Sequence, residues 1–210
     1  MKYVPLVDLG FALSVSSSDS SKNFEKMNSV INAIIDQYSV IRIRYAVEVF
    51  GNDTKTVLEF HQSFTNGDDL KRHLATVTPE SGGSRLDIGL KEGEELFESE
   101  GTRPNAHKVL VVFTDKKSTG DDQAAQTAAK ELLEKGIKVI AIGLGSESDI
   151  TELKYIATDV RHVIPAKITD DSDELGIEVM NLAFKGNVSG VNCFGKNELF
   201  KGVINLINSY

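Results

Sequence analysis

Apolar and polar positions along the chain switch between two periods, and the switches mark a succession of strands and helices. Leu6 to Leu13 is an apolar run of the kind found in a strand buried on both faces. Phe24, Met27, Val30, Ile31, Ile34 and Ile35 then recur at helical spacing, with Asp19, Ser20 and Ser21 placed to cap the start. Ile41 to Phe50 alternates and is rich in β-branched and aromatic residues. Gly51, Asn52 and Asp53 supply a turn and Thr56 to His61 a returning arm, so this stretch predicts a hairpin. A short helix follows around Asp68 to Ala75, before Pro79 and the Gly82-Gly83 loop.

Leu86, Leu90, Gly93, Leu96 and Phe97 mark the next amphipathic helix, and His107 to Thr114 the clearest buried strand. A helix from Asp122 to Glu134 stops at Gly136, and Ile137 to Leu144 is again a buried strand. A short helix near Asp149 to Ile156, an edge strand from Arg161 to Ile164 and a last helix from Asp171 to Phe184 complete the order. The acidic residues that open the last helix suit its dipole. This alternation predicts an α/β fold: a doubly wound, mostly parallel six-stranded sheet with one antiparallel strand and helices on both faces. Residues 1–186 form the domain. Residues 187–210 are an extension in which Leu199, Phe200, Val203, Ile204 and Ile207 keep helical spacing, as a docked helix or a link to a neighbour would.

Composition narrows the function classes. The chain has 210 residues, 40% of them hydrophobic and 26% charged, enough to bury a full core without a second domain. Its net charge of -8 argues against a general nucleic-acid surface, which needs a basic patch. No apolar run approaches the roughly 18 residues of a membrane helix. The start, Met1 to Pro5, has no signal-peptide core. The single cysteine, Cys193, allows no internal disulfide. Asn52-Asp53-Thr54 and Asn187-Val188-Ser189 fit a glycosylation sequon, but such triplets arise often by chance.

In a doubly wound sheet, ligands bind beyond the carboxyl ends of the strands where the strand order reverses. The loops Ser14 to Ser18 and Asp115 to Ser118 should meet there, with Gly82-Gly83-Ser84 folding over the same edge. Other constellations are weak. His61, His73, His107 and His162 lack zinc spacing and read as structural or surface residues. Asp121-Asp122 and the acidic run from Asp170 to Glu174 read as helix starts or solvated carboxylates. Gly143-Leu144-Gly145-Ser146 lacks the third glycine of a dinucleotide fingerprint, and no phosphate loop or nucleophile elbow occurs.

Five segments together resemble the von Willebrand factor A domain family over about residues 5 to 186. They are Val7 to Leu13, the Arg44 to Phe60 hairpin, Gly82 to Leu90, Arg103 to Asp115, and Gly136 to Gly145. The resemblance implies a Rossmann-like fold. It also implies a metal-ion-dependent adhesion site on Ser16, Ser18, Ser84 and Asp115. Ser84 stands where threonine is usual and keeps the hydroxyl. The chain departs from the pattern at Ser14, where the family carries an aspartate, and at Lys116, where glycine often follows the third-loop aspartate.

Mg²⁺ and Ca²⁺ favour hard oxygen ligands, with carboxylates among them to offset the ion's charge. A carboxylate about 4 Å from a unit positive charge is worth ~4 kcal/mol at an effective dielectric near 20. Even after screening, its loss costs ~10- to 1000-fold in affinity. Weak or absent metal binding is therefore expected, and no other cofactor. A lysine ammonium from Lys116 or Lys117 pairing with Asp115 is one way to replace the ion, and both lysines in solvent is the plainer arrangement.

By resemblance to modules of collagen VI, matrilins and byssal thread matrix proteins, the expectation is a non-enzymatic protein-binding domain. It would be extracellular and secreted, with a signal peptide outside this chain, and would bind collagen or another matrix protein. The alternative is an intracellular scaffold of the same family that assembles a larger complex. A nucleotide-binding enzyme is disfavoured by the missing phosphate loop.

Overall fold

The computed structural model describes residues 5–14, 20–38, 40–78 and 82–184. Among the described residues, six strands and six helices follow one another as the periodicity requires. They are β1 (Val7–Ser14), α1 (Ser20–Gln37), β2 (Ile43–Phe50), β3 (Thr54–Leu58), α2 (Gly67–Leu74), α3 (Leu86–Glu98), β4 (His107–Thr114), α4 (Asp122–Glu134), β5 (Ile137–Leu144), α5 (Ile150–Ile156), β6 (Val163–Ala166) and α6 (Ser172–Phe184). The sheet order is β3-β2-β1-β4-β5-β6, with every neighbouring pair parallel except β2 and β3. The chain works outward from β1 to β3, then returns to lay β4 on the other side of β1. The order thus reverses between β1 and β4, and the sequence-based fold class is the observed one.

Two apolar layers hold the sheet. On one face Leu9, Phe11 and Leu13 of β1 and Val111 and Phe113 of β4 pack under α1, α2 and α6. On the other, Ala12, Leu110, Val112 and Ala141 pack under α3, α4 and α5. Covering on both sides explains why β1, β4 and β5 read as unbroken apolar runs. Helix α3 comes very close to β2, because Gly89 and Gly93 face it. A Cβ at Gly89 would lie 2.7 Å from the Phe50 ring.

Element ends differ from the expected ones where side chains intervene. Asp159 accepts from the backbone N–H of Arg161 at 2.7 Å and turns Val160–His162 into a 3₁₀ segment, so β6 begins two residues later than its hydrophobicity suggests. β3 begins at Thr54 rather than Thr56, and its register with β2 shifts between Val47 and Glu48, a β-bulge. Asn66 caps α2 by accepting from the Asp69 N–H at 3.0 Å. Residues 187–210, with Cys193 and the Asn187 sequon, lie outside the described residues.

Candidate functional site

The switch point brings three segments to one edge. Ser14 is the last residue of β1, in register with Phe50 of β2 and Thr114 of β4, and is fully buried. Its hydroxyl donates to Ser84 Oγ at 2.8 Å. Ser84, also buried, lies 3.5 Å from Thr114 Oγ1, which in turn donates to the Lys116 carbonyl at 2.6 Å. Since Thr114 spends its proton on that carbonyl, it can only accept from Ser84. The protons run from Ser14 through Ser84 and Thr114 to a backbone oxygen. A hydroxyl has one proton and two lone pairs, so Ser84 keeps one lone pair free of this chain.

Asp115 follows β4 and is 1% exposed. Its Oδ2 accepts from Asn23 Nδ2 of α1 at 2.9 Å, a contact between groups 92 positions apart. Asn23 was not among the residues picked out by sequence. Its signal was its place one turn before Met27, on the buried face of the helix, where an amide must find a partner. Asn23→Ala should destabilise the domain by about 1.5–3 kcal/mol, the worth of a hydrogen bond to a charged group. Urea unfolding checks this, and a change within about 0.5 kcal/mol would mean that Asp115 is held by other groups.

The loop that carries Asp115 is pinned. Lys117 pairs with Asp149 at 3.2 Å and its backbone N–H donates to the Glu147 carbonyl at 2.9 Å. The ammonium of Lys117 holds the Asp149 carboxyl below its ordinary range. Lys117 is thus committed to the cap of α5 rather than to Asp115. The Ser118 N–H donates to Glu152 Oε2 at 3.0 Å, and burial pushes that carboxyl up. The Thr119 N–H donates to the Ser84 carbonyl at 2.8 Å, tying the second and third segments together. From the hairpin turn, Asn52 Oδ1 accepts from the Gly83 N–H at 3.0 Å, so this sequon asparagine is already part of the edge.

Ser14 and Ser84 therefore meet, and Asp115 follows directly on Thr114, which Ser84 reaches, whereas Ser16 and Ser18 lie outside the described residues. The described donors fit a hard divalent cation poorly. They include one carboxylate, with one oxygen held by an amide, and a serine hydroxyl with a single lone pair to spare. Where an aspartate would add charge, Ser14 turns a neutral hydroxyl toward Ser84.

The remaining candidate groups keep structural roles. Asp121 caps α4, and Asp171 accepts from the N–H groups of Asp173 and Glu174. His73 Nε2 lies 3.1 Å from the Val57 carbonyl and His61 pairs with Glu59 at 2.9 Å.

A Rossmann-like sheet with a serine and aspartate edge at the switch point defines a class of ligand-binding domains, and comparison narrows it. The model of the von Willebrand factor type A domain family matches residues 8–178, and the chain belongs to this family. It is 26% identical over 194 residues to the collagen alpha-6(VI) chain of Mus musculus, covering 90% of this chain and 8% of that one. With matrilin-1 of Bos taurus it shares 30% over 155 residues, covering 72% of this chain and 28% of the other. The chain thus spans less than a third of these relatives. Among solved structures, proximal thread matrix protein 1 from the mussel byssus, with a zinc-occupied metal-ion-dependent adhesion site, superposes with a TM-score of 0.76 at 26% identity. That match covers 85% of this chain and 48% of the other. Relatives of this chain are matrix and adhesion proteins.

Proposed function

We propose that this domain is a non-enzymatic protein-binding module of the extracellular matrix or adhesion type, whose edge site holds divalent metal weakly or not at all. The observation that carries the reading is the Ser14–Ser84 hydrogen bond, which puts a neutral hydroxyl contact where the family carries a carboxylate. Ser84 is tied to the third loop by the Thr119 N–H, and that loop is pinned to α5 and the turn before it. Without that carboxylate, partner binding proceeds through the protein surface itself and needs no ion to bridge to a ligand carboxylate. Collagen or another matrix protein is the partner class, by kinship with collagen VI and matrilin-1.

The test is a panel of immobilised matrix proteins probed with the purified chain, in Mg²⁺ and in chelator. Binding to at least one member, of similar strength in both buffers, is expected. Silence across the panel would overturn the matrix assignment, and binding lost in chelator would overturn metal independence.

A further inference from the structure

Glu48, in the middle of β2, is fully buried, and among the described residues no hydrogen-bond donor reaches either carboxyl oxygen. It sits at the β-bulge, paired with Ala12 of β1 and Thr56 of β3. Helix α3 lies directly over it: a Cβ at Gly93 would be 3.2 Å from Glu48 Oε1 and 2.6 Å from Leu110 of β4. The glycine is what lets the helix close on the carboxyl. The charges that bear on Glu48 from α3 are those of Glu92 and Glu95, both of like sign. The Thr56 hydroxyl on β3 donates away from it, to Glu92 Oε1 at 2.7 Å. On β2 itself Arg44 donates to the Gly101 carbonyl. β1 and β4 present Ala12 and Leu110, which carry no charge.

A buried carboxylate without a donor or counter-ion is costly, so the group keeps its proton instead. Burial, then Glu92 and Glu95, push the Glu48 carboxyl well above its ordinary range. We propose that Glu48 is a proton-held seat for α3: its neutral carboxyl lets the helix close on β2, and loss of that proton loosens the helix. The backbone just before α3 carries Gly83 and Ser84, tied to Asn52 and Ser14, so a loosened α3 also disturbs the candidate edge. That last consequence rests on the functional reading above, whereas the seating of α3 does not.

The sign follows from linkage. Below the ordinary carboxylate range both folded and unfolded chains hold the proton, and Glu48 is neutral to stability. Above it the unfolded chain ionises while the fold keeps its proton, so stability falls with rising pH, by up to about tenfold in the folding equilibrium per pH unit. Once pH passes the folded value, the fold itself must ionise Glu48 under α3.

The experiment uses the whole chain. Carbon NMR follows the Glu48 carboxyl in the wild type, and hydrogen exchange measures protection in Leu86–Glu98 from pH 5 to 9, corrected for intrinsic exchange. The expected result is a carboxyl that titrates well above the ordinary carboxylate range, with α3 protection falling about tenfold or more as pH rises. Glu48→Gln, with no charge to acquire, should flatten the profile. Glu48 titrating in the ordinary carboxylate range overturns the proposal, even if Glu48→Gln fails to fold. An identical pH profile in wild type and Glu48→Gln also overturns it. Since the readout is helix protection, a silent ligand panel leaves the result intact.

Discussion

Arg103→Ala should cost the domain about 3–5 kcal/mol, the loss expected when one partner of a buried ion pair is removed. Asp8 lies within β1 at 0% exposure and has both oxygens occupied by Arg103: Oδ1 by Nε at 2.8 Å and Oδ2 by the backbone N–H at 2.6 Å. The guanidinium also donates to the Val7 carbonyl at 2.6 Å and the Arg42 carbonyl at 3.2 Å. One side chain thus joins β1, the approach to β2 and the loop before β4, at the opposite end of the sheet from the candidate site. Truncation leaves Asp8 buried with only a backbone donor and removes a donor from the Val7 and Arg42 carbonyls. Against a typical domain stability of about 5–15 kcal/mol, such a loss is large. Urea unfolding measures it. Lys130→Ala, which breaks an exposed pair with Glu134, should shift stability by less than about 1 kcal/mol in the same assay. Similar small losses for both variants would refute the assigned role of Arg103.

Ser14→Asp should act in opposite directions with and without metal. In chelator, the new carboxylate replaces a fully buried hydroxyl, on the same edge as Asp115. Burial and like charge both oppose it, at a cost of about 1–3 kcal/mol. With Mg²⁺ or Mn²⁺ the added charge supplies what the described donors lack, and affinity should rise by ~10- to 1000-fold, or about 1.4 kcal/mol per decade. Stabilisation by a bound ion grows as the logarithm of its concentration over Kd, so excess metal should recover the melting temperature of the variant. The wild type should melt at nearly the same temperature in both buffers. Thermal unfolding of both proteins, with and without metal, separates these outcomes. A variant as stable in chelator as the wild type and unresponsive to metal would mean that position 14 does not face an ion site.

Much of the architecture could be read from the chain because its strands are covered on both faces. Leu6 to Leu13, His107 to Thr114 and Ile137 to Leu144 have no solvent side to interrupt them, and each is a strand in the structure. The edge elements were less legible. The start of β6 depends on the Asp159 turn, and the register of β3 on a bulge, neither of which a hydrophobic pattern records.

The same division holds at the site. The sheet reversal brings the ends of β1 and β4 together, at Ser14 and just before Asp115, and Ser84 joins them from the loop before α3. The partners that fix them are invisible in the sequence: Asn23 reaches Asp115 from a helix 92 positions away, and Ser14 meets Ser84 across 70. Glu48 was hidden for a related reason. In an alternating strand its face reads as the polar one, but α3 covers that face and the carboxyl ends in the core.

A neutral Ser14–Ser84 contact stands at the edge where the family carries a carboxylate, and weak metal binding is the proposal that follows. Calorimetric titration of the wild type with Mg²⁺, beside Ser14→Asp under the same conditions, tests it most directly. The prediction is weak or undetectable binding by the wild type and clear binding by the variant. Wild-type binding as tight as that of Ser14→Asp would contradict it.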